Sequence, residues 1–319
     1  MTARRGGWLD VAGLILVNLL WAAQYPAYAI AGAAMEPAAL NFWTLLAALL
    51  LLLPWWIRER ARRASGPGRD RRPRVMAYVI LGVLGIIPPS VLLSWGIAHS
   101  SAANAAILSL TIPVLMTLLG VAMLGERLTA IRLLCLALGL AGTLLISTGD
   151  LANASFGTSV LIGNLVILAG GLGSAFYNTY SKDLLAHDSE LDVLIYSYAV
   201  AAVACAAISA VVEHKPFFHV TGYTPSTWWA VLLLGLLPWG VAMVLWMWVL
   251  NRLEVGQVAA SIYLLPFFGL VLSVITVHDR ISVHQLFGGG LVLVGTVVLT
   301  VYENRQQATA AIPPAGGLR

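Results

Sequence analysis

The chain has 319 residues, 60% of them hydrophobic and only 10% charged, with a formal net charge of +4 and a mean hydropathy of +0.87. Soluble domains carry roughly 25% charged residues, so a water-facing globule is excluded. The positive charge is concentrated between two apolar runs, where it serves as an orientation signal near anionic headgroups; no base-reading module accompanies it, which speaks against a nucleic-acid partner.

Apolar runs of about 20 residues cross a bilayer as helices. In chain order they fall at 8–30, 37–57, 75–98, 101–124, 130–148, 159–181, 191–212, 226–250, 256–277 and 283–302. The predicted fold class is an all-α polytopic membrane protein with ten transmembrane helices. The first run reads as a span and not as a cleavable signal, because it is too long for a signal core. The basic segment "RERARRASGPGRDRRPR" at 58–74 separates the second and third spans, and a polar tail follows Glu303. Cys135 and Cys205 lie inside spans, so neither suggests a disulfide or metal framework, and buried packing is expected of both. With the N-terminus in the cytoplasm, 16 of the 18 Lys and Arg fall in cytoplasmic segments, leaving Lys215 and Arg280 outside. Both termini are therefore expected in the cytoplasm, with the chain in a bacterial inner membrane.

One polar hinge is written twice. "LGERLTA" at 124–130 returns as "VHDRISV" at 277–283, an offset of 153 residues. The same offset aligns Gly82 with Gly235, Trp95 with Trp248, Asn104 with Gln257, Pro113 with Pro266, Glu126 with Asp279 and Arg127 with Arg280. With one gap, Tyr25 and Tyr28 meet Tyr177 and Tyr180. Residues 1–150 thus form one five-helix repeat, and 151–319 a second with the polar tail, in one integrated membrane domain. Five is odd, so the second copy is inverted. Inverted repeats place a substrate near the midplane and supply two access states. Thr129 and Ser282 stand where N-caps belong, and Ser282 with Gln285 has capping-box spacing. Glu126 and Asp279 precede helix N-termini, where negative charge is favoured. A structural turn and a gating salt bridge involving Glu126, Arg127, Asp279 and Arg280 both follow from that pattern.

The stretch "HSSAANAAILSLTIPVLMTLLGVAMLGERLTAIRLLCLALGLAGTLLI" resembles the signature of EamA-type carriers. The second half repeats it more loosely as "YLLPFFGLVLSVITVHDRISVHQLFGGGLVLVGTVVL". These carriers belong to the ten-helix drug/metabolite transporter superfamily, and the chain is similar to its aromatic amino-acid exporter branch. "HDRIS" departs from the Gly-Glu form of the first hinge. The resemblance implies a central cavity lined by spans 1, 3, 4, 6, 8 and 9, with spans 5 and 10 at the periphery.

Away from their ends, the ten spans contain no Asp, Glu, Lys or Arg. A charge at the bilayer centre costs roughly 2.5–3.5 kcal/mol on insertion scales and usually marks ion or substrate handling. Quaternary cations would require an acid there, and phosphorylated sugars a base. Neutral or zwitterionic solutes remain. Asn18, Trp21 and Tyr25 share one stripe of span 1, and Trp239, Met243 and Trp246 share one of span 8. Ser174 and Tyr177 in span 6, and Gln257 and Ser261 in span 9, extend the set. Gln24, Tyr78, Trp95, Asn104, Ser109 and Tyr263 complete the expected lining. Aromatic walls with a few amides and hydroxyls hold an apolar body by its polar end; the alternative is that such residues anchor at the interface or pack against lipid and neighbouring helices. Pro88, Pro89, Pro113, Pro238 and Pro266 mark positions where spans can break. Cys135/Gly142 and Gly288/Gly295 give spans 5 and 10 a small-residue face, read as helix packing or a dimer contact.

The sequence therefore predicts a secondary transporter that exports amino acids or related neutral solutes, aromatic ones first. Threonine- or homoserine-like and drug-like solutes stay open, as does a monomer or homodimer. No cofactor and no metal is expected; the partners are a small-molecule substrate and the bilayer. Transport is expected to be downhill or by exchange, because no carboxylate lies inside the spans away from their ends to couple it. Two rival classes, an intramembrane enzyme and a channel, fit the residues less well. "HDSELD" sets His187 and Asp192 at an acyltransferase-like spacing but without partners, and no charged ring or filter loop suggests a channel.

Overall fold

A computed structural model describes residues 8–22, 24–64, 74–100, 108–146, 158–268 and 283–310. Among these residues the regular structure is helical. The first span comprises α1 (Trp8–Ala22) and α2 (Gln24–Gly32), and the second is α3 (Pro37–Ala64). The third runs from α4 (Val75–Ile80) through two widened turns to α5 (Leu93–His99). The fourth and fifth are α6 (Ile112–Leu124) and α7 (Ala130–Ile146). In the second half α8 (Thr158–Leu185) and α9 (Glu190–Val212) form the sixth and seventh. The eighth joins α10 (Pro225–Leu236) to α11 (Met243–Arg252), the ninth begins with α12 (Val255–Ser261), and the tenth is α13 (Val283–Ala310). Five helices, within spans 2, 3, 6, 7 and 8, are long and apolar enough to cross a membrane, and shorter apolar helices supply the others.

The packing obeys a two-fold relation. Spans 2 and 7, 4 and 9, and 5 and 10 pack on each other, so each meets its own equivalent; span 3 packs on 6 as 8 packs on 1. Individual atoms repeat the relation. A Cβ on Gly82 would lie 2.8 Å from Val200 Cγ1 and 2.9 Å from Ser197 O. On Gly235 it would lie 2.5 Å from Ala47 Cβ and 2.7 Å from Thr44 O. The 153-residue offset turns each member of the first contact into a member of the second.

The axis runs across the helices. A Cβ on Gly142 would meet Gly288 O at 2.6 Å, and one on Gly295 would meet Cys135 O at 3.2 Å. The offset exchanges Cys135 with Gly288 and Gly142 with Gly295, so spans 5 and 10 lie antiparallel. Spans 2 and 7 do the same. Glu213 at the end of α9 accepts the Ala38 and Ala39 N–H groups at the start of α3, at 2.5 and 2.9 Å. Asp192 near the start of α9 accepts from Trp56 Nε1 near the other end of α3. A two-fold axis perpendicular to membrane-crossing helices is the inverted-repeat arrangement. The small-residue faces of spans 5 and 10 are thus used against each other within the chain.

Proline breaks come in equivalent places. Spans 4 and 9 are interrupted by turns at Leu110–Thr111 and Ile262–Tyr263, just ahead of Pro113 and Pro266. Proline offers no N–H to the preceding turn and its ring crowds that carbonyl. Across the axis, Tyr263 Oη donates to Leu110 O at 3.1 Å, a contact between exact equivalents in the two repeats. In span 3 the helix widens to π geometry over Leu81–Ile86 and Pro88–Leu92, and in span 8 over Leu237–Ala242. Ser90 Oγ donates to Ile86 O at 2.8 Å and Tyr198 Oη to Trp239 O at 2.9 Å. These side chains satisfy carbonyls in the widened turns, as an apolar medium requires.

Candidate functional site

Spans 1, 6, 8 and 9 meet around a cluster of amides and indoles. Asn18 of α1 is fully buried; its Nδ2 donates to Leu14 O at 2.8 Å and Ser261 Oγ at 3.3 Å. Ser261 Oγ in turn donates to Val258 O. One turn on from Asn18, the Trp21 ring tilts against Trp246 with centroids 4.9 Å apart. Trp246 Nε1 donates to Asn178 Oδ1 at 2.6 Å, and Asn178 Nδ2 donates to Ser174 O at 2.8 Å. A second group lies beside it. Trp239 Nε1 donates to Tyr28 Oη at 2.8 Å, and Tyr198 sits edge-on to the Trp239 ring.

Asn18 and Ser261 thereby form one pair, and Trp21, Trp246, Asn178 and the Ser174 carbonyl a second set reached from the same first span, with Met243 buried in the same core. Trp21 and Trp239 are half-buried. The Asn18 Oδ1 and Thr44 Oγ1 atoms are buried without a hydrogen-bond partner among the described residues. Tyr177 is buried against Gly85, whose Cβ would lie 2.9 Å from its ring. Its hydroxyl lies beside those of Ser181 and Ser197 without a well-formed bond to either.

Other predicted residues lie elsewhere. Tyr78 sits toward the end of the bundle bearing the 58–74 segment, donating to Asp188 at 2.9 Å. Trp95 is exposed and stacks on His99 at 3.8 Å. Tyr263 joins the core between spans 5 and 10. Gln257 faces its own helix start: its Oε1 accepts the Glu254 N–H at 2.9 Å in a capping box. Gln24 and Ser109 are half-buried. The Tyr25 side chain and residues Asn104, Asp279 and Arg280 lie outside the described set. Asn178, Tyr28 and Tyr198 were missed as site residues, although Asn178 lies four residues from Ser174 on the same face of span 6. An amide at that spacing, near the end of span 6, was the available signal. Asp192, read as half of an acyltransferase-like pair, accepts from Trp56, Ser189 and Arg63, which accounts for it as a helix-start anchor.

The end of the bundle bearing the 58–74 segment is rich in ion pairs. Arg252 reaches Asp10 at 2.7 Å, Arg63 reaches Asp192 at 2.8 Å and Arg74 reaches Asp188 at 3.1 Å. The first hinge departs from expectation. Thr129 does cap α7, accepting from Arg132 N at 3.4 Å. Glu126, however, serves a different helix from the one it precedes. Its carboxylate accepts the Val255 and Gly256 N–H groups at 2.6 and 3.0 Å, at the start of α12. Its cationic neighbour is Arg132 at 3.9 Å, while Arg127 is exposed. Burial pushes the Glu126 carboxyl up, against the lowering effect of those two N–H groups. Beside it opens a cavity of about 590 Å³, lined by Glu126, Arg127, Arg132, Lys182, Asp183 and Glu254 among others.

An inverted pair of five-helix bundles with broken spans around a polar–aromatic centre is the architecture of a membrane carrier. The profile of the EamA-like transporter family matches residues 9–148 and again 161–301, and the chain belongs to that family. It is 28% identical to a probable terminal-alkyne amino-acid exporter of Streptantibioticus cattleyicolor, over 94% of this chain and 97% of that protein. It is 23% identical to an uncharacterized transporter of Bacillus subtilis, YoaV, over 92% and 98% of the two chains. A solved crystal structure superposes with a TM-score of 0.76 at 21% identity, covering 93% of this chain and 99% of the other.

Proposed function

We propose that this transporter exports neutral amino acids across a bacterial inner membrane, with aromatic side chains preferred, by alternating access between its two repeats. The observation that carries this reading is the amide–indole cluster at the meeting of spans 1, 6, 8 and 9. It offers aromatic faces and neutral hydrogen-bonding groups, with no Asp, Glu, Lys or Arg in the surrounding spans away from their ends. Asn18 Oδ1, an acceptor left open, suits the ammonium of a zwitterion. The half-buried faces of Trp21 and Trp239 suit its side chain. Each aromatic contact contributes roughly 0.5–1.5 kcal/mol beyond burial, enough to favour Phe or Trp over Ala. The amino-acid exporter among its relatives supports the substrate class.

Labelled phenylalanine should exchange across proteoliposomes, and unlabelled aromatic amino acids should compete better than sugars or quaternary cations. Competition by small polar amino acids but not by aromatic ones would remove the aromatic preference. Trp21→Ala and Trp239→Ala should each weaken the apparent affinity by about 2- to 12-fold; unchanged counterflow in both would place the binding site elsewhere.

The excess of Arg and Lys at one end of the bundle supports cytoplasmic termini. An impermeant thiol reagent outside intact cells should label a cysteine placed in the 213–225 loop and spare one in 58–74. The reverse pattern would invert the topology.

A further inference from the structure

We propose that the cavity beside the first hinge is a capture subsite for an amino-acid zwitterion, its carboxylate on Arg127 and its ammonium on Asp183. The inference rests on the amino-acid export reading and adds where the solute is met before it reaches the amide–indole cluster. The charges around the cavity balance: Arg127, Arg132 and Lys182 face Glu126, Asp183 and Glu254. Four of the six are committed to the protein. Glu126 accepts the Val255 and Gly256 N–H groups. Arg132 pairs with Glu254 and donates to Arg127 O. Lys182 donates to Leu250 O and Asn251 O at 2.7 and 2.9 Å. Arg127 and Asp183 remain. Both are exposed, and among the described residues neither side chain has a hydrogen bond or an ion pair. They present opposite charges from different walls, Arg127 from the hinge of the first repeat and Asp183 from the last turn of α8 in the second. A simple cation or anion answers one wall only; a zwitterion answers both.

The position fits loading of the central site. A volume of about 590 Å³ falls within the range of small-molecule sites, about 300–1,000 Å³. Along α8, Lys182 stands one turn from Asn178, a rise of about 6 Å. Glu254 stands two turns from Ser261 at the start of span 9. Two of the walls therefore continue into the two helices that carry Asn178, which holds Trp246, and Ser261, which holds Asn18. The solute would bridge the two repeats at their charged rim before moving inward. Because Arg127 and Asp183 are exposed, each contributes what a solvated ion pair does, at most about a fivefold change in affinity, and less as salt rises. Weak holding suits the task, since a solute that must move on cannot be held tightly at its entrance.

The test uses the full chain in lipid nanodiscs, with Cys135→Ala, Cys205→Ala and a reporter Ala186→Cys, a position that is exposed and lines the cavity. A thiol reagent labels the reporter, and a solute that fills the cavity slows the labelling. Phenylalanine should protect at about three- to fivefold lower concentration than phenethylamine, which lacks the carboxylate, or phenylpropionate, which lacks the ammonium. Arg127→Gln should remove only the advantage over phenethylamine, and Asp183→Asn only that over phenylpropionate. Equal protection by the three solutes, or advantages that survive both substitutions, overturns the subsite. Protection should persist when Trp21→Ala and Trp239→Ala are added; its loss there would mean that it is relayed from the cluster, which also overturns the subsite. Labelling needs no transport, so the two readings fail separately. Intact protection without phenylalanine counterflow would sink the aromatic export reading alone, and intact counterflow without protection would sink the subsite alone.

Discussion

Replacing Trp246 by alanine is expected to destabilise the protein by about 3–5 kcal/mol, the usual range for deleting a buried aromatic side chain. Its indole is wholly buried in the main core, leans on Trp21 and donates to Asn178. Nothing in an apolar surrounding replaces that donor. Trp246→Phe separates the two contributions: it keeps most of the volume and removes only the N–H. The buried Asn178 Oδ1 then loses its bond, at about 1–3 kcal/mol. Adding Asn178→Leu to Trp246→Phe should recover part of the loss, because no unpaired carbonyl then remains. Thermal unfolding in detergent micelles measures all three, with phenylalanine counterflow as the functional readout. Wild-type stability in Trp246→Phe would show that the indole–amide bond holds nothing together.

The inter-repeat glycines give the second large effect. Gly235→Ala and Gly142→Ala place a methyl 2.5 Å from Ala47 Cβ and 2.6 Å from Gly288 O respectively, and neither obstacle is the end of a flexible side chain. Overpacking of this kind costs about 1–3 kcal/mol, more than the helix propensity gained over glycine, up to about 1 kcal/mol. Gly82→Ala should behave like Gly235→Ala, because the two sites are equivalent under the two-fold relation. Gly290→Ala, with nothing within 4 Å of its new Cβ, is the control and should be neutral or slightly stabilising. Unfolding temperatures of the four variants decide the matter. Equal behaviour of Gly290→Ala and Gly235→Ala would mean that close approach at span 8 does not limit packing.

Both expectations concern where spans touch, and touching was only partly legible in the linear chain. Ten apolar runs, their lack of internal charge and the duplicated hinge are local properties of the residues. Length and hydropathy suffice for the spans, and an odd number of spans per repeat suffices for the inversion. The Gly82/Gly235 and Cys135-Gly142/Gly288-Gly295 equivalences could also be read directly, since a repeat displays its symmetry as an offset. The site was legible as stripes: the spacing of Asn18 and Trp21, or of Trp239 and Trp246, assigns a face of one helix. It does not say which helix covers that face. Trp95 lies exposed, and Tyr263 faces spans 5 and 10, because neighbours set those outcomes and not periodicity. Gln257 went to a helix cap for a related reason, since a local bond to the Glu254 N–H competes with any cavity role. Glu126 shows the division most clearly. Its sequence position implied an acid at the start of the fifth span, where a helix N-terminus favours negative charge. The fold delivers it to the start of the ninth, 129 residues away from its partner Val255. Local pattern determines which groups need partners; only the packing of one repeat against its inverted copy decides who the partners are, because those contacts join residues that no short-range spacing relates.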